Sequence, residues 1–385
     1  MLFDSDAHFL PKDAYDAMEG EFRHMRPRIL ADGAGATMRF LDSNHPRVAH
    51  SIPVELTCSV DHRLKTIEKL GIDCQLLFPN HSGVYNEIED AGAARALIKN
   101  HNDGMAAAEH ESGGRLLSTF CVPMQHPDEA VAELQRCVDN LGLRCMVISP
   151  NVDGGPIDAL PLWDLFAEAE RLNVVIAVHG DADTKLIGHE RFDRWRLRNC
   201  LGFPFDYMHA IVCLIYSGLL DRFPKLKLLF AEAGVSFLPF LEDRLKDTTD
   251  TFESPLAFHN FDIRGRPMNQ RPPTEYFEMF YHAVGLDESL LELVIGKYGV
   301  DKFLVGTDYP HPDSHMNVAQ TVEKLTSISE EAYHAMTWDN AERLFALEEK
   351  HKRPSAAKLG LGHFDVLYFS QLRQLDNLEI DLFKL

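Results

Sequence analysis

Lys302-Phe303-Leu304-Val305-Gly306-Thr307-Asp308-Tyr309-Pro310-His311-Pro312 is apolar over three residues and then stops at a glycine, an acid and two prolines. A run of this kind reads as a buried strand with polar residues at its C-terminal mouth. In a parallel β/α barrel that mouth is where functional side chains converge, so Asp308 calls for partners on other strands. Two runs supply them, each ending in histidine: Leu2-Phe3-Asp4-Ser5-Asp6-Ala7-His8 and Asn173-Val174-Val175-Ile176-Ala177-Val178-His179.

Between these landmarks, short apolar runs alternate with helical spacing. Strands are expected at Leu2 to His8, Ile72 to Pro79, Leu116 to Val122, Leu143 to Ile148, Val174 to His179, Leu226 to Glu232, Tyr276 to His282 and Phe303 to Asp308. Helices are expected at His62 to Leu70, Ala91 to Glu111, Pro127 to Leu141, Leu162 to Leu172, Phe205 to Arg222, Phe237 to Lys246 and Glu288 to Tyr298. The alternation predicts an α/β protein, a distorted (β/α)8 TIM-type barrel over residues 1–347, because an open doubly wound sheet usually stops at about five to seven strands. No Gly-x-Gly-x-x-Gly follows any strand, which removes the main mark of a dinucleotide-binding sheet. Residues 18–60 and 251–273 are expected as inserted loops. The extension 348–385, basic at its start and apolar at its end, is expected to make a subunit contact or to cap the barrel.

A chain of 385 residues with 45% apolar content can fill one large core. Its 38 basic and 59 acidic residues give a formal charge of −21, which disfavours phosphate backbones and anionic membranes. The expected partner is a small-molecule substrate, with neither nucleic acid nor membrane, in a homo-oligomer or hetero-oligomer. With no 18-residue apolar run and no basic, hydrophobic leader, the chain is expected to be soluble and cytoplasmic. Seven scattered cysteines without a Cys-x-x-Cys pair read as reduced core thiols.

Asp6 and His8, two positions apart on one strand, project to the same side. Together with His179 and Asp308 at other strand ends they make an imidazole and carboxylate set of the kind that holds zinc, manganese or iron with open positions for water and substrate. Zinc is the expected ion. His209, on an apolar helix, and His311, three residues after Asp308, are further candidates. Arg191 or Arg194, between strands five and six, offers a guanidinium for a substrate carboxylate.

Five motifs then carry a resemblance: Phe3-Asp4-Ser5-Asp6-Ala7-His8, the run Gly71 to Pro79, Val178-His179-Gly180, the run Ser217 to Lys227, and Val305-Gly306-Thr307-Asp308-Tyr309-Pro310-His311. In order and spacing the chain resembles the amidohydrolase superfamily, in the branch that includes aminocarboxymuconate-semialdehyde decarboxylase and related small-molecule hydrolases and decarboxylases. The resemblance implies one or two divalent ions on Asp6, His8, His179 and Asp308, with Asp308 also able to accept a proton from metal-bound water. Where decarboxylases of this branch usually carry an acid/base histidine after strand six, this chain has Ala231-Glu232-Ala233-Gly234. Glu232 is therefore expected as the acid/base or as a metal ligand, with Asp308, Glu232 and His209 as catalytic candidates. The departure favours hydrolysis of an amide, ester, thioester or lactone by metal-activated water. The alternatives are non-oxidative decarboxylation of an aromatic or unsaturated acid, and oxygen chemistry at a dinuclear iron or manganese site drawing on Asp4, Glu232 and His209.

Overall fold

Eight parallel strands form one sheet in the order of the chain: β1 (Phe3–His8), β2 (Cys74–Phe78), β3 (Leu116–Cys121), β4 (Cys145–Ile148), β5 (Val175–His179), β6 (Lys227–Ala231), β7 (Phe280–Val284) and β8 (Phe303–Val305). The sheet closes on itself just beyond β8. His8 N donates to Tyr309 O at 2.6 Å, Asp308 N donates to Asp6 O at 2.8 Å, and Ala7 pairs in parallel with Tyr309. The (β/α)8 expectation therefore holds. The coordinates come from a computed structural model that describes all residues except 33–34, 40–53, 80–82, 182–183, 193–194, 254–268, 286, 312–317 and 353–385.

Alternation along each strand builds two cores. Phe3, Cys74, Leu76, Phe78, Cys121, Cys145, Val147, Val175, Ala177, Leu229, Ala231, Ala283 and Leu304 pack together in the barrel interior, whereas Ile176, Val178, Leu228 and Phe230 pack outward against the helices. Local chemistry sets the helix ends. The Ser59 side chain accepts from His62 N to open α1 (Val60–Leu70), and Gly71, at φ 76°, closes it. Asp90 accepts from Ala93 N to open α2 (Ala91–Glu111), and Pro127 occupies the first position of α3 (Pro127–Leu141). Further barrel helices are α4 (Trp163–Arg171), α5 (Phe203–Tyr216), α6 (Leu238–Glu253), α7 (Leu291–Tyr298) and, after β8, α8 (Val318–Ile328).

The structure departs from expectation in four places. The long helix expected to Arg222 breaks after Tyr216, because Gly218 takes φ 78° and a short turn of helix, Leu219–Arg222, follows. The seventh strand begins at Phe280, and the stretch expected to start it is a 3-10 turn, Pro273–Met279. Within the first insertion, Arg28–Asp32 and Gly35–Arg39 pair as an antiparallel hairpin, and α6 runs seven residues past Lys246 into the second. The contact expected of the extension falls largely on 353–385, outside the described residues. Among the described residues no helix is long and apolar enough to cross a membrane.

Candidate metal centre

At the mouth of β1, Asp6 Oδ1 lies 3.9 Å from His8 Nε2, as the two-residue spacing predicts. β5 brings His179 Nε2 to 3.7 Å from the same oxygen. The turn after β8 places Asp308 Oδ1 3.0 Å from His8 Nε2, and the turn after β6 places Glu232 Oε2 3.4 Å from His179 Nε2. Five predicted residues thus meet at one end of the barrel, on four strands that are far apart in sequence.

The imidazoles are oriented as donors of lone pairs. His8 Nδ1 faces the Pro79 carbonyl oxygen at 3.3 Å and His179 Nδ1 that of Gly180 at 2.7 Å. A carbonyl only accepts, so each ring carries its proton on Nδ1 and leaves Nε2 bare. Among the described residues, Asp6 Oδ1, His8 Nε2 and His179 Nε2 are buried without a hydrogen-bond partner; His8 Nε2 and Asp308 Oδ1, 3.0 Å apart, are both lone-pair donors. Buried polar atoms in that state are costly unless something pairs them, and two imidazole nitrogens with a carboxylate oxygen suit a divalent cation. A second donor group, His8, Asp308 and His311, shares His8 with the first.

Electrostatics keep the acid ionised. Burial pushes the Asp308 carboxyl up, but His311, with Nδ1 2.8 Å from Asp308 Oδ1, outweighs burial and holds it well below the usual carboxylate range. Burial, reinforced by His311, lowers His8 to about 4 despite the opposing pull of Asp308. The His311 ring stacks on that of His8 with centroids 4.1 Å apart, and the Phe78 ring lies 4.8 Å from that of His179. Glu232 and Asp308 take φ of 67° and 58°, conformations that side-chain-bearing residues adopt at a cost of about 1–3 kcal/mol and that cluster at functional sites.

Other candidates fall elsewhere. His209 Nε2 contacts Cys213 Sγ at 3.3 Å, one turn along α5, and is not among the residues gathered here. Arg191 is exposed on a short 3-10 turn, and Arg194 lies outside the described residues. Asp4, weighed as a ligand of a second ion, has both oxygens engaged by Thr307 and Gln75; burial raises its carboxyl to about 7 against those bonds. Sequence reading missed Tyr207. Its buried hydroxyl accepts from Gly180 N at 2.5 Å and donates to Ala231 O, joining the residue after His179 to the residue before Glu232. Its position on an apolar helix gave no signal of that.

Comparison with known proteins adds three findings. The family model described as Amidohydrolase matches residues 59–347. Among curated proteins, 2-amino-3-carboxymuconate-6-semialdehyde decarboxylase of Dictyostelium discoideum is 28% identical over 75% of this chain and 77% of its own length, and gamma-resorcylate decarboxylase of a Rhizobium species is 26% identical over 75% and 87%. Among solved structures, a dihydroxybenzoic acid decarboxylase from a Polaromonas species, with bound manganese and the inhibitor 2-nitroresorcinol, superimposes with a TM-score of 0.64 at 20% identity, over 90% of this chain and 96% of that one. These findings correct the expected hydrolysis, since both curated relatives are named as decarboxylases.

Proposed function

This chain belongs to the Amidohydrolase family, and from that premise we propose that it is a metal-dependent, non-oxidative decarboxylase of an aromatic or unsaturated carboxylic acid. The observation that carries the reading is the set of buried, unpartnered donors Asp6 Oδ1, His8 Nε2 and His179 Nε2 beside the ionised Asp308. These four residues would hold one divalent cation, manganese or zinc. One ion suffices, because both donor groups need the same His8 nitrogen. When bound, the cation supplies positive charge to fix a substrate carboxylate or a neighbouring hydroxyl and to draw electron density from the reacting carbon.

The chain's own residues supply the rest. Asp308, kept as a carboxylate by His311, is a poor proton donor near neutral pH. Glu232, at the mouth with its side chain 21% exposed, is the group that carries the proton. It protonates the carbon bearing the carboxylate; the bond to that carboxylate then breaks, its electron pair returns to the unsaturated system, and carbon dioxide leaves. The partly exposed His311, stacked on His8, presents a flat ring at the mouth, which favours a planar acid.

The test is incubation of manganese-loaded protein with a panel of hydroxybenzoates and unsaturated diacids labelled with ¹³C at the carboxylate, in D₂O. Labelled carbon dioxide and one deuterium at the vacated carbon are the expected products. Solvent oxygen entering the product without release of carbon dioxide would overturn the reading.

A further inference from the structure

Behind the donor cluster, a chain of buried side chains crosses the seam where β8 closes against β1. Asp4, fully buried, accepts from Thr307 N at 2.9 Å and, through its other oxygen, from Thr307 Oγ1 and Gln75 Nε2, each at 2.6 Å. Gln75 Oε1 accepts from Arg63 Nη1 at 3.3 Å, which fixes the orientation of the amide. Arg63 is also fully buried; its Nη2 donates to His8 O at 2.6 Å and Leu56 O at 2.8 Å, and its guanidinium lies 4.4 Å from the centroid of the Tyr309 ring. One end of this chain grips the residue before Asp308 and the other grips the backbone of His8.

Asp6 lies between the two ends, with its carbonyl accepting from Asp308 N at 2.8 Å. Asp308 itself sits at φ 58°, so its placement against His8 is not the backbone's relaxed choice and needs an outside constraint. Thr307 provides it by donating twice, from N and from Oγ1, to a carboxylate that is itself immobilised. Gly306 completes the approach: a Cβ there would lie 2.8 Å from Asp6 Cβ.

We propose that Thr307, Asp4, Gln75 and Arg63 form a positioning clasp that sets metal affinity by holding Asp308 against His8 and Asp6. The inference rests on the reading of Asp6, His8, His179 and Asp308 as ligands of one divalent cation. A bond that only staples the barrel would change the melting temperature of the apo protein and leave metal affinity alone; a positioning bond changes the affinity of the folded protein.

The experiment titrates chelator-stripped, full-length protein with Mn²⁺ by calorimetry and records the melting of each apo form in parallel. Thr307→Val, which keeps the shape and removes the hydroxyl, is expected to weaken Mn²⁺ binding by about 10- to 100-fold. Thr307→Ser, which retains the hydroxyl, is expected to bind as the wild type does. Should Thr307→Val fail to fold, Asp4→Asn is read in the same way. Wild-type affinity in the folded Val variant overturns the clasp, as does an equal loss in the Ser variant. A wild-type protein that takes up no Mn²⁺ overturns the ligand reading and the clasp together.

Discussion

Glu232 Oε2 lies 3.4 Å from His179 Nε2, close enough either to carry a proton at the site or to serve the metal directly. Glu232→Gln separates these roles, because the amide keeps the shape and has no acidic proton to give. As a proton carrier, Glu232 should lose about 10²-fold or more in turnover on this change while elemental analysis finds the metal content unaltered. Loss of the metal would make it a ligand instead. The ligand candidates were legible in sequence because His8, His179 and Asp308 each stand at the mouth of a strand-like run, and Asp6, two positions before His8, shares its side of the strand. Arg63, Gln75 and Tyr207 were not, since each looks like an ordinary helix or strand residue. Their meaning lies in bonds to distant segments, such as Gln75 to Asp4 across 71 positions and Tyr207 to Ala231 across 24.

At the scale of elements, most strands and helices follow from apolar period and punctuation, and the misses have identifiable causes. Tyr276 and Phe277 favour strands by type, yet the Tyr276 hydroxyl donates to Asp221 Oδ2 at 2.6 Å and accepts from Gln270 N and Arg271 N, while Arg271 covers its ring at 4.2 Å. Those contacts hold Tyr276 in the 3-10 turn and delay β7. The break after α5 was hidden because the apolar run continues through Ser217 and Gly218, and only the left-handed turn at Gly218 shows it. The seam between β8 and β1 gives a test at this scale. Gly306→Ala adds a methyl group 2.8 Å from Asp6 Cβ, so the strands must part. A loss of about 1–3 kcal/mol in urea unfolding is expected, together with weaker metal binding, as Asp6 is the residue displaced. Wild-type stability with wild-type affinity would show that the seam yields elsewhere.

Across the whole molecule, burial of ionisable groups sets how stability follows pH. His101 and His282 are almost wholly buried, and burial lowers both to about 3. The unfolded chain takes up these protons near 6.5, so the neutral imidazoles contribute stability that is complete above that pH and is lost as the pH falls toward 3. Glu109 works the other way: burial raises its carboxyl to about 7, so its contribution is complete below about 4.5 and fades as the pH rises to 7. Asp4, raised to about 7 by burial, acts in the same direction as Glu109. Because these trends oppose, a total stability curve hides them and a difference between two proteins reveals one. His282 lies between Phe230 and Phe303, with ring centroids at 5.8 and 6.0 Å, and its buried Nδ1 has no hydrogen-bond partner among the described residues. An aromatic replacement therefore fits the site and removes only the titration. Relative to wild type, His282→Phe should gain with falling pH, by roughly 3 kcal/mol between pH 7 and pH 4, in urea unfolding read by circular dichroism. Parallel stability curves for the two proteins over that range would mean that the folded protein protonates His282 as readily as the unfolded chain does, and that the pocket between the two phenylalanines admits water.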